Sequence, residues 1–69
     1  MKRVLTIEGM TCEHCVNRVK NALENVAGVK SVKVRLKKNT ATLKLKKPID
    51  NETLRAVVED AGYDVVAID

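Results

Sequence analysis

The sequence predicts an α+β sandwich: four antiparallel strands in one sheet, with two helices covering one face. Two observations carry this. Short segments with alternating apolar and polar residues recur along the chain, and two stretches between them place apolar residues at helical spacing. Read in order, they give strand, helix, strand, strand, helix, strand.

Val4 to Glu8 alternates, with Leu5 and Ile7 on one side and Thr6 and Glu8 on the other, as in a half-buried strand that Gly9 ends. Val16, Val19, Ala22, Leu23 and Val26 then form the apolar stripe of an amphipathic helix that Gly28 terminates. Val32, Val34 and Leu36 face opposite to Lys33, Arg35 and Lys37. After a turn at Lys38 and Asn39, Ala41, Leu43 and Leu45 repeat the pattern against Thr40, Thr42, Lys44 and Lys46. This is a hairpin with one basic, wet face. Pro48 stops its second strand, Asp50 is placed to cap a helix, and Ile49 is placed to staple onto Leu54. That helix runs through Val57, Val58 and Ala61 to Gly62, and Tyr63 to Ile68 is the last strand. The order βαββαβ is the ferredoxin-like, split-βαβ arrangement, expected as a single domain over residues 1–69.

Chain direction then places the loops. If the first strand runs upward, its exit loop, the Lys37 to Asn39 turn and the Gly62–Tyr63 connection all fall at the top. A chain of 69 residues buries only about 60% of its unfolded surface, so one thin core is expected and a large catalytic cleft is not. Residues 30–47 hold eight Lys or Arg and no acid, although the net charge is only +4. Such asymmetry suits an acidic or nucleic-acid partner, although a solvated, edge-protecting face is its commoner cause. The first ten residues break their apolar run at Thr6 and Glu8, too early for a signal or membrane segment, and the expected location is the cytoplasm.

Chemistry concentrates in residues 9–15, GMTCEHC, which contain both cysteines of the chain, Cys12 and Cys15. Cytoplasmic thiols stay reduced, so this C-x-x-C pair is expected to bind metal or exchange electrons rather than staple the fold. The start of the first helix, with Thr11 as its expected N-cap, favours thiolates through its unpaired N–H groups and dipole. A closed zinc site wants four ligands. Only His14 and Glu13 stand nearby to supply more, and their positions around the turn point elsewhere. Soft Cu(I) is satisfied by fewer donors and is selected by thiolates. A thiol-disulfide oxidoreductase uses the same spacing, but here no Trp precedes Cys12 and Pro48 is the sole proline. A haem attachment site needs His after the second cysteine, where this chain has Val16. Nucleic acid is not expected as a partner, because the exposed sheet face offers Thr6, Thr40, Thr42 and Lys44 where an RNA platform stacks bases on aromatics.

GMTCEHC, the βαββαβ order and EDAGYDV from Glu59 to Val65 together resemble a heavy-metal-associated domain of the bacterial copper chaperone type, over essentially the whole chain. The resemblance implies a soluble, non-enzymatic carrier that holds one Cu(I) on Cys12 and Cys15 in a nearly linear, exposed site. It also implies delivery by stepwise ligand exchange to a metal-binding domain of a copper-transporting P-type ATPase. A domain excised from such an ATPase and another soft metal, zinc or mercury, are the alternatives within the resemblance. The Met1 start and finished last strand are expected of a stand-alone chain. The apo protein is expected to be monomeric, without membrane insertion, with a copper-bridged dimer open.

Around the thiols, strand alternation aims Met10 inward as a core plug rather than a thioether ligand. By the resemblance, Thr11 stands where zinc-selective relatives carry an acid, which leans toward monovalent copper. His14, the single histidine, is either solvated or a third ligand and tuner of copper lability. It resembles the His found between the cysteines of bacterial chaperones. Tyr63 is either an edge aromatic or a shield for the metal loop, and the resemblance places Tyr there in bacterial carriers.

Overall fold

A computed structural model describes residues 1–69. β1 (Lys2–Glu8), α1 (Glu13–Glu24), β2 (Val29–Arg35), β3 (Thr40–Leu45), α2 (Asn51–Asp60) and β4 (Asp64–Ile68) follow in the expected order. The strands form one antiparallel sheet of order β2-β3-β1-β4. Both helices send their apolar stripes into one cluster. Val19 and Leu23 of α1 and Leu54 and Val58 of α2 meet Leu5, Ile7, Val32, Ala41, Leu43, Leu45 and Val65 of the sheet. The fold is thus the expected ferredoxin-like α+β sandwich. Leu5, Ile7, Leu23, Leu43 and Leu54 are fully buried, each stabilising the fold by about 1.5–3 kcal/mol relative to exposure.

Two bulges reconcile the strands with this core. Between Thr6 and Ile7 the β1–β4 register shifts, so that Ile7 faces Val65 while Thr6 faces Ala67. The extra residue, Val66, is turned out and 59% exposed, and Val65 and Ile68 both reach the core side although they are three apart. A second shift lets Val29 pair with Leu45 and Ser31 with Lys44, leaving Lys30 as the extra residue of β2. Strict alternation read from sequence does not reveal either one.

Several boundaries differ from expectation. Val26 lies outside α1, which ends at Glu24 with Asn25 as its cap. Val26 instead donates its N–H to the Leu23 carbonyl and is half-buried from the loop, so helical spacing continued one residue past the helix itself. Leu36 falls in the turn after β2, and Tyr63 precedes β4 rather than opening it. Asp50 does stand at the N-cap of α2, yet its carboxylate makes no capping bond; its carbonyl accepts from the Thr53 and Leu54 amides at 3.1 and 3.3 Å.

The three upper connections meet as the topology requires. At the hairpin tip Asn39 adopts a left-handed φ of 54°, and its carbonyl accepts a 2.7 Å bond from the Ile7 amide beside the cysteine loop. No helix is long and apolar enough to cross a membrane.

Candidate metal centre

β1 delivers the chain to Gly9, which has φ +101° and turns it away from the sheet. Met10 then plugs into the core at 5% exposure, which anchors the loop from beneath. Thr11 and Cys12 follow on the surface. Here one expectation is corrected: Thr11 is not the N-cap of α1. Cys12 occupies that position in extended backbone, and its carbonyl accepts the Cys15 and Val16 amides at 3.0 and 3.2 Å. The helix starts one residue later because Met10 must bury, which spends Thr11 on the climb back to the surface.

The displacement sets the geometry of the thiols. Cys12 lies just outside the helix and exposed; Cys15 lies in its first turn and half-buried. Their sulfurs are 3.7 Å apart, far beyond the roughly 2.05 Å of a disulfide, and both cysteines are free. With metal–thiolate bonds of about 2.3 Å, a linear S–metal–S unit spans about 4.6 Å, so the pair need open by only about 1 Å. Exposed Cys12 has that freedom. A tetrahedral ion needs two further donors, and no group of three or more His, Cys, Asp or Glu side chains gathers anywhere in the molecule. His14 and Glu13 are exposed on α1 and are not brought into a cluster with the sulfurs.

Cys15 is held as an acidic thiol. The Tyr63 hydroxyl and the Thr11 backbone N–H are disposed to donate toward its sulfur, and the Thr11 hydroxyl lies 3.9 Å from it. These donors stabilise the thiolate and bring its pKa from the ordinary 9.0 down to about 6, against a smaller opposing effect of burial. The partner responds in the opposite sense: donating to Cys15 raises the Tyr63 pKa, so the phenol keeps its proton.

Tyr63 reaches this place through the end of α2. Gly62 takes φ +98° after the Ala61 cap, its N–H donates to the Glu59 carbonyl at 2.9 Å, and the Tyr63 N–H donates to the Val58 carbonyl at 3.2 Å. That pair of bonds is a Schellman closure, which ties the Tyr63 backbone to the last turn of the helix. Arg18 was not singled out from the sequence. It stands one helical turn beyond Cys15, a spacing that could have found it, and its positive charge slightly offsets the rise in the Tyr63 pKa.

The site is open surface, and the molecule's single hollow lies elsewhere, among Met1, Lys2, Lys30, Lys44 and Leu45. A ferredoxin-like sheet presenting two unbonded thiols at the start of its first helix defines a dithiol surface domain. The chain belongs to the heavy-metal-associated domain family, whose model matches residues 4–64. It is 38% identical to the copper chaperone CopZ of Staphylococcus haemolyticus, over 94% of this chain and 97% of that one. It is also 42% identical to a probable copper-exporting P-type ATPase of Archaeoglobus fulgidus, over 96% of this chain but only 8% of the ATPase. The chain thus spans under a tenth of that relative and nearly all of the former. Among solved structures, a CopZ metallochaperone superimposes with a TM-score of 0.89 at 34% identity, covering 96% of this chain and all of that one.

Proposed function

We propose that this chain is a soluble, cytoplasmic copper carrier, not an enzyme, which holds one Cu(I) on the Cys12 and Cys15 thiolates and passes it to the metal-binding domain of a copper-transporting P-type ATPase. One observation carries the reading: two free sulfurs stand 3.7 Å apart on open surface, with no third ligand gathered to close the shell. Thiolates select soft, low-coordinate Cu(I). An exposed site also leaves room for an incoming thiolate. In each exchange step one Cu–S bond forms to the acceptor as one to Cys12 or Cys15 breaks, and the copper stays monovalent throughout. Cys12, the more exposed of the pair, is the first to let go. Similarity to CopZ proteins and to ATPase segments supports both ends of this transfer.

The test is anaerobic titration with Cu(I) against a competing chelator. One tightly held equivalent is expected, lost in Cys12→Ser and in Cys15→Ser, and transferable to an isolated ATPase metal-binding domain. The low pKa of Cys15 also favours a thiol-disulfide oxidoreductase; copper-free turnover of a disulfide substrate would establish that reading instead. Sizing the apo and loaded forms checks the expected apo monomer and shows whether copper bridges two copies. The 42% identity to a segment of an ATPase supports a second origin, as one metal-binding domain of such a pump, with the same chemistry at the two sulfurs.

A further inference from the structure

The hollow at the opposite end of β1 from the thiols, about 350 Å³ in volume, has a lining whose charged groups are all cationic: Lys2, Lys30 and Lys44, with Met1 and Leu45. With a rise of about 3.3 Å per residue, the length of β1 separates it from the cysteine loop by roughly 20 Å. Lys2 and Lys44 are direct cross-strand partners in the β1–β3 ladder. Like charges so placed cost stability, and β propensity gives no reason for lysine at either position. Lys30 is the residue that the β2 bulge adds between Val29 and Ser31, and Ser31 pairs with the same Lys44. A local distortion of the ladder thus places a third lysine in the lining beside this cross-strand pair. Of the other bases of the hairpin, Lys33 pairs with Thr42, Arg35 with Thr40, Lys37 and Lys38 lie in the turn, and Lys46 and Lys47 follow β3 outside the hollow's lining. Charge for solubility needs no such convergence.

We infer that Lys2, Lys30 and Lys44 form a binding site for a multiply charged phosphate-type oxyanion, either a free polyphosphate or a phosphorylated lipid headgroup. Lysine ammonium groups bind phosphate as point charges, and a single anion bridging the three removes the repulsion of the pair. The site is remote from the metal loop, so it can be filled while Cys12 and Cys15 remain open to a partner.

The experiment is a titration of the full chain with tripolyphosphate, followed by backbone amide shifts at constant ionic strength with chloride as control. Shifts confined to residues 1–3, 29–31 and 44–45 are expected. A Lys30→Gln, Lys44→Gln double variant, checked for native circular dichroism, should bind at least about tenfold more weakly. A Lys33→Gln, Lys37→Gln variant should bind as the parent does. Without anion, Lys44→Gln alone should melt higher than the parent at low salt. Flotation with phosphatidic acid vesicles, whose phosphomonoester can carry two charges, separates the sources: flotation lost in the double variant assigns a headgroup, and tripolyphosphate binding without flotation assigns a free anion. Shifts spread over every basic residue, or undiminished binding of both probes by the double variant, overturn the site.

Discussion

The Tyr63 ring lies against the bare Cα of Gly9, its Cδ1 3.4 Å from where a Cβ would stand. Gly9 is therefore constrained twice, by the neighbouring ring and by its φ of +101°. Gly9→Ala should cost about 1–3 kcal/mol, read as a lower urea midpoint with unchanged slope. It should also displace the phenol from Cys15, seen as slower alkylation of that thiol near pH 7. An unchanged midpoint would show that the loop relaxes without strain.

Removing the Tyr63 hydroxyl isolates its electrostatic part. In apo Tyr63→Phe the Cys15 thiolate loses its foremost donor, so the midpoint of its alkylation rate should move upward from about pH 6 toward the ordinary 9.0. A midpoint that stays near 6 would assign the acidity to the Thr11 amide and the helix start instead.

The same shift links stability to pH. Cys15 is deprotonated from about pH 6 in the folded chain but only from about pH 9 when unfolded, so the unfolded state binds the extra proton between them. Apo stability should accordingly rise from pH 6 to pH 9, be fully present above 9, and be lost as pH falls through 6. Denaturant midpoints across that range, compared between the parent and Cys15→Ser, measure it; equal slopes in both would remove Cys15 as the cause.

Met10 separates packing from coordination. At 5% exposure within the core cluster, it should tolerate Leu, which keeps the volume, with less than about 1.5 kcal/mol lost and Cu(I) affinity unchanged. Met10→Ala should cost about 2–5 kcal/mol. Weaker copper binding in the folded Leu variant would make the thioether a ligand.

Leu43 is fully buried at the centre of the sheet, and Leu43→Ala should also cost about 2–5 kcal/mol. Against the 5–15 kcal/mol total of typical domains, this lowers the melting temperature by about 10 °C or more. A smaller drop would mean that the core closes over the vacancy.

Local pattern was enough to order the elements. Alternation at Leu5 and Ile7 and at Ala41, Leu43 and Leu45, with helical spacing at Val16, Val19 and Leu23, requires two helices on one face of a sheet, and chain direction then puts GMTCEHC, Asn39 and Tyr63 at one end. Cys12 and Cys15 were legible as a pair because their separation is local. Other features depend on contacts between distant segments. Burial of Met10 decides that Cys12 rather than Thr11 caps α1, and the Gly62 closure brings Tyr63 to Cys15. The bulges at Lys30 and Val66 arise because two strands must match a core that neither specifies alone. Periodicity reports which face a residue seeks, whereas register, cap position and the environment of a sulfur are settled only when the faces meet.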